Sequence, residues 1–225
     1  MKFKNIFFGF LKTLLLAVIF YSGLLYATGG HMFLDLRNYP YTNNDFRPYF
    51  FARDESTGDL IKIPDTQNSF TFKTYDLDLP ADMKLYRREV RPILRRWKNE
   101  DAPPDTDADL SIDLSGQMET NIALDSKSSR EVHVAIYDDN IEAVSYVYDA
   151  KQTPEIDTII ANPEGLLEGQ TTIVKGGGSA LLENIVRSYQ EDGIERIQLY
   201  AIESKYYAKR GWKMEPEEAA CGGPS

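Results

Sequence analysis

Lys175-Gly176-Gly177-Gly178-Ser179-Ala180 runs straight into Leu181-Leu182. Ahead of it lies the β-rich run Glu155 to Ala161, which ends in Asn162-Pro163. Glycines at the mouth of an apolar-periodic segment predict a loop that turns into a helix. Its unpaired N–H groups and dipole would offer a phosphate cradle, approachable because no Cβ intrudes. The helix is predicted over Ala180 to Tyr189, with Leu181, Leu182, Ile185 and Val186 on one face. Asp192-Gly193 ends it, and Ile194 to Ile202 reads as the next strand. Ser204 to Arg210 fits a short helix closed by Gly211.

Upstream, Glu131 to Tyr137, Ile141 to Asp149 and Glu155 to Ala161 read as three β runs, the first two joined at Asp138-Asp139-Asn140. Ser69 to Leu77 alternates imperfectly and reads as a strand. Met83 to Trp97 reads as a helix that Pro92 kinks or splits. It carries Lys84, Arg87, Arg88, Arg91, Arg95, Arg96 and Lys98, read either as a solvated face or as a site for anionic lipid or cofactor phosphates. Tyr49 to Ala52 and Leu60 to Ile63 read as short strands of a hairpin, with residues 54–59 as the turn. Asn99 to Asp109 reads as an acidic loop, and Leu110 to Arg130 gives no defined element.

The order strand, glycine loop, helix, strand and Tyr207-Ala208-Lys209-Arg210-Gly211-Trp212 resembles the GNAT superfamily of acetyl-CoA-dependent N-acyltransferases. In that family a bulged strand ends near a proline, a Gln/Arg-x-x-Gly-x-Gly/Ala loop wraps the CoA pyrophosphate, and Tyr-x-Lys-x-Gly-Phe follows the next strand. The match spans roughly residues 131–212. With Leu181-Leu182 in register, Gly176 and Gly178 match the glycines, and Ile173 stands where the family has Gln or Arg; in the other frame Lys175 takes that place, Gly178 and Ala180 follow, and the helix anchors shift. The stretch Glu164 to Val174 is an insertion. The resemblance implies an α/β (α+β) fold, a mixed, mostly antiparallel sheet flanked by helices. It implies direct attack of an amine on acyl-CoA, without a metal. The backbone at Ile160 and Ala161 would pair with the pantetheine. Lys175, Gly176, Gly177, Gly178, Ser179 and Ala180 would hold the pyrophosphate. Tyr207 would protonate the leaving thiolate, and Glu155, or else Asp157, would take the amine's proton. Acetyl is the expected group, with longer acyl or aminoacyl groups open. The alternative is an inactive, tethered binding module of the same fold.

The 225 residues are 42% hydrophobic and 27% charged, as in an ordinary globular chain. Formal net charge is −10. Setting aside Lys2, Lys4 and Lys12 leaves 22 basic against 35 acidic side chains beyond residue 27, which argues against nucleic acid and favours a cationic partner. One cysteine, Cys221, and two separated histidines, His31 and His133, offer neither a disulfide nor a zinc cluster. Residues 1–27 read as an uncleaved single-pass membrane anchor, or else as a cleaved signal peptide and a secreted body. Lysines held inside would direct the body outward, away from an intracellular donor. The expected organisation is this segment, an extension over 28–68, an acyltransferase domain over 69–214 and a tail over 215–225.

Overall fold

The computed structural model describes residues 29–37, 39, 47–67, 69–171 and 173–216. The expected anchor lies outside them. Among the described residues no helix is long and apolar enough to cross a membrane. In chain order the strands are β1 (Gly30–Asp35), β2 (Tyr49–Arg53), β3 (Leu60–Pro64), β4 (Thr71–Asp76), β5 (Glu131–Tyr137), β6 (Asn140–Tyr148), β7 (Glu155–Ala161), β8 (Arg196–Ala201) and β9 (Lys213–Met214). The helices are α1 (Pro80–Glu89), α2 (Arg91–Trp97), α3 (Asp107–Leu124), α4 (Pro163–Leu166), α5 (Gly177–Glu191) and α6 (Ser204–Ala208). Seven strands form one mixed, mostly antiparallel sheet in the order β4-β5-β6-β7-β8-β1-β9, and β2 pairs with β3 apart from it. The chain divides into a larger unit, residues 33–199, and a smaller one made of 1–32 with 200–225.

In the larger unit, β5 and β6 close on a two-residue turn. Asp138 and Asp139 both take positive φ, 48° and 61°, the twist that a tight hairpin requires. One face of the sheet supplies Tyr75, Val132, Val134, Val144, Tyr146 and Ile160 to a core closed by Val90, Leu94, Trp97, Met118 and Ile122 from the α1–α3 layer. On α5, Leu181, Leu182, Ile185, Val186 and Tyr189 are buried. His133 is spent in packing: Nδ1 lies 2.9 Å from Thr74 Oγ1 and Nε2 3.3 Å from Tyr189 OH, which donates to Glu131.

Proline splits the first helical region as its chemistry demands. α1 ends at Glu89, and α2 restarts at Arg91 with Pro92 in its first turn, where a missing N–H costs nothing. The polar stretch after the acidic loop is the 18-residue α3. Its start signal was present: Thr106 accepts from the Asp109 amide, and Asp107 and Asp109 occupy the positive first turn. Its buried face includes Ser111, Ser115 and Glu119, and polar residues there hide the apolar periodicity.

Glu119 is buried, and Arg91 Nε (2.9 Å), Arg95 Nε (2.7 Å) and Lys98 Nζ (2.6 Å) all reach it. Burial alone would raise its carboxyl, but the three cations, Lys98 foremost, outweigh burial and hold it at about 2. A carboxylate so depressed stabilises the fold above its unfolded value and loses that contribution as pH falls through about 2. Glu119→Gln is expected to cost about 2 kcal/mol at neutral pH, because its partly exposed partners regain water. Urea midpoints measured from pH 6 to pH 2 should fall less steeply in the variant over the acid end of that range.

The smaller unit carries α6 and β9. Glu215 N–H donates to His31 O at 2.9 Å, and His31 meets the Tyr200 ring edge-on.

Candidate functional site

β7 is the strand on which the site is built. Its antiparallel register against β6 shifts between Tyr146 and Val147, so that Thr158 faces Tyr146 and Ile156 faces Val147. Asp157 is the extra residue of a β-bulge. On the other side β7 runs parallel to β8, paired only at Glu155–Gln198 and Ile156–Leu199. From Asp157 onward β7 has no ladder partner on that side among the described residues.

Register decides which backbone groups face this free edge. Asn162 N–H donates to Glu142 O at 2.9 Å, so that pair is hydrogen-bonded, and opposed pairs alternate along an antiparallel ladder. Ile160, opposite Val144, therefore spends its amide on β6, and Ala161 and Ile159 turn theirs to the free edge. Ser111 Oγ takes the Ala161 carbonyl at 2.5 Å. Of the two residues expected to hold the pantetheine, Ala161 has the outward N–H and Ile160 contributes a buried side chain.

The glycine loop meets the end of this strand. A Cβ on Gly178 would lie 3.7 Å from that of Ala161. Gly176, the N-cap of α5, takes φ +97°, and a Cβ there would stand 2.9 Å from the Pro48 Cα. One on Gly177 would stand 3.1 Å from the Glu142 carbonyl oxygen. At these two positions glycine admits neighbouring backbone of the same chain. The Ala180 amide closes the first helical bond to Gly176 O at 2.9 Å, so within 176–180 the N–H groups of the helix start proper precede it. The N-cap, Gly176, has no side chain with which to cap that start. Ser179 is half-buried in its first turn.

Lys175 pairs with Tyr49 by two backbone bonds, and its Nζ donates to Gly165 O, with burial lowering its pKa. Its ammonium is thus turned to the inserted loop. That loop is organised: Asn162 caps α4 through Glu164 N–H, and Gln170 bonds both Gly165 and Ile173.

The expected bases are separated along the strand. Glu155 sits at the closed, paired end of β7, opposite Tyr148. Asp157 sits at the bulge where the free edge begins, and its carboxylate accepts from Asn121 (3.1 Å) and Thr158 (2.8 Å). Ser111, Asn121, Glu142 and Asn162 also shape the site and escaped sequence reasoning. Only Asn162 carried a local signal, as an Asn before Pro. Glu142 is buried, and its Oε2 accepts from Asn162 at 3.0 Å. Burial raises its carboxyl, Asn162 lowers it, and Glu164 adds to the rise. Beside Pro163 and Glu164 lies an open cavity of about 410 Å³, whose wall includes Glu100 and Asp101.

Tyr207 belongs to the smaller unit. Its ring meets Trp212 edge-on at 5.8 Å and Tyr206 at 5.0 Å, and Gly211, at φ +85°, turns the chain between α6 and Trp212. Burial, then Tyr206, raise the Tyr207 phenol above its ordinary range against a smaller opposing effect of Arg210.

Fold and site define a mixed α/β chain in which a bulged strand, a glycine-started helix and a parallel strand follow one another, the order the GNAT resemblance implies. No family model matches the chain, and no curated protein matches it. Among solved structures it is similar to the C-terminal domain of a lysylphosphatidylglycerol synthetase homologue from Agrobacterium fabrum, at 16% identity and TM-score 0.43, over 76% of this chain and 46% of that one. It is similar to a GCN5-related N-acetyltransferase from Sphaerobacter thermophilus, at 15% identity and TM-score 0.44, over 83% and 48%. A predicted acetyltransferase from Clostridium acetobutylicum, solved with acetyl-CoA, aligns at 18% identity and TM-score 0.36, over 66% and 92%. The chain spans about half the length of the first two. These likenesses lend no residue roles to the site, which stand on its geometry.

Proposed function

We propose that this chain is an acyltransferase that moves an acyl group, acetyl in the first instance, from acyl-CoA to an amine by direct attack. The observation that carries the reading is the free edge of β7 from Asp157 to Ala161, ending at the glycine start of α5. An edge strand with unspent amides accepts an amide-bearing chain as a further strand would. A helix start whose N-cap is a glycine suits the attached phosphates.

In the reaction the amine nitrogen bonds to the thioester carbon, the C–S bond breaks, and sulfur leaves with the bonding pair. Asp157 takes the amine's proton. It is preferred to Glu155 because it stands where the free edge begins. The outward N–H of Ala161 or Ile159 would steady the oxyanion. Tyr207 supplies a hydrogen-bonded proton to the sulfur. The acid-walled cavity beside Pro163 fits a cationic acceptor. Calorimetric titration of the full chain with acetyl-CoA should give saturable heat and protection from thermal unfolding. Neither effect at millimolar ligand would overturn the proposal.

A second reading is a GNAT-like module, tethered through residues 1–27, that binds without turnover. Lys175 favours it, since its ammonium is committed to Gly165. Thiol release from acetyl-CoA in the presence of polyamines separates the two readings: release requires the enzyme.

A further inference from the structure

The α1–α2 layer carries a charge pattern that the transferase reading leaves unused. Val90 keeps helical dihedrals between the two helices, and Leu94 N–H bonds back to Val90 O, so residues 80–98 turn almost as one helix. At about 100° per residue, Lys84, Arg87, Arg88, Arg91, Arg95 and Lys98 fall within one arc of roughly 100°. The strip is roughly 21 Å long at 1.5 Å per residue. The buried side chains Tyr86, Val90, Leu94 and Trp97 occupy the adjoining arc.

Internal pairing does not neutralise the strip. Glu119 takes Arg91, Arg95 and Lys98, and Glu89 takes Arg88 and Lys73. Seven cations against two carboxylates leave five positive charges, in a chain whose net charge is −10. Arg91, Arg95 and Lys98 keep 36%, 53% and 37% of their side-chain surface. Lys84 and Arg87 are exposed, and no partner holds either among the described residues.

We infer that this strip is a docking surface for the anionic headgroups of a lipid bilayer. A row of cations along one face of the two successive helices can meet a plane of phosphates. Guanidinium groups bind phosphate oxygens in pairs, and four of the six are arginine. The sequence also carries a segment, residues 1–27, that reads as a membrane anchor or a signal peptide and would bring the chain to a bilayer. The acidic balance of the rest of the chain opposes wrapping by a nucleic-acid duplex.

The test is co-sedimentation of the full chain with phosphatidylcholine vesicles, with and without about 30% phosphatidylglycerol, at low and high salt. Vesicles of phosphatidylcholine alone measure what that segment contributes. Anionic vesicles should bind at least about a hundredfold tighter, and high salt should remove the difference. The double variant Lys84→Ala/Arg87→Ala leaves the Glu119 cluster intact. At about 1 kcal/mol per basic residue, it should bind anionic vesicles about thirtyfold more weakly and neutral vesicles as the parent does. Its thermal midpoint and its acetyl-CoA heat should match the parent's. Equal binding to both vesicles, an unchanged double variant, tighter binding to duplex DNA at equal phosphate, or loss of acetyl-CoA binding in the double variant would each overturn the inference.

Discussion

Gly176→Val should lower stability by about 3–5 kcal/mol, with Gly178→Ala, two residues on, close to neutral. Gly176 holds φ +97°, a conformation that β-branched residues avoid, and its missing Cβ would meet backbone, the Pro48 Cα, at 2.9 Å. The Pro48 backbone cannot swing aside as a flexible side chain would. Gly178 lies inside α5, and its added methyl would make an ordinary 3.7 Å contact with Ala161. Alanine there gains helix propensity of up to about 1 kcal/mol, which offsets any crowding. Urea denaturation monitored by tryptophan fluorescence measures both. Equal destabilisation by the two variants would mean that the glycines serve the loop as a group rather than one by one.

Tyr207→Phe should lower kcat by about a hundredfold and leave KM for acetyl-CoA within about twofold, the pattern of a group that acts on the transition state. Burial holds the phenol above its ordinary range, so it stays protonated throughout neutral pH. A free thiol titrates near 8.5, so full proton transfer from this phenol to the leaving sulfur is uphill. Its contribution is then a hydrogen bond that tightens as negative charge builds. The wild-type rate should show no falling limb from pH 7 to about 10 that the phenylalanine variant lacks. Steady-state kinetics by thiol release give both quantities. An unaltered kcat would remove Tyr207 from the mechanism and leave the binding-module reading ahead.

The strip on α1–α2 shows how one feature answers to two demands. Three of its cations organise a buried carboxylate, a structural duty that lies outside both sequence readings, a solvated face or a site for anionic lipid or cofactor phosphates. Lys84 and Arg87, two of the six, are exposed and have no such duty.

Much of the fold was legible because its signals are local. Asp138-Asp139 closing a hairpin, Pro92 breaking a helix and Gly193 ending one each act through the dihedral freedom of one or two residues. The strands over 131–161 appeared within a residue or so of their places. α3 was missed because three of its seven buried residues are polar, two of them satisfied by partners distant in sequence: Ser111 by Ala161 and Glu119 by α2. The short strands β1 and β9 gave no periodic signal of their own.

By itself the sequence determined the succession of strand, glycine loop, helix and strand from β7 to β8, the glycine entry to α5 and the acidic balance of the chain, since these follow from residue chemistry over short spans. Only the tertiary structure decided that Asp157 is the bulged residue, that Ala161 rather than Ile160 turns its amide to the free edge, and that Lys175 faces Gly165. Each of those depends on which strand lies opposite and in what register. A backbone group has one direction to spend, and the partner across the ladder takes it.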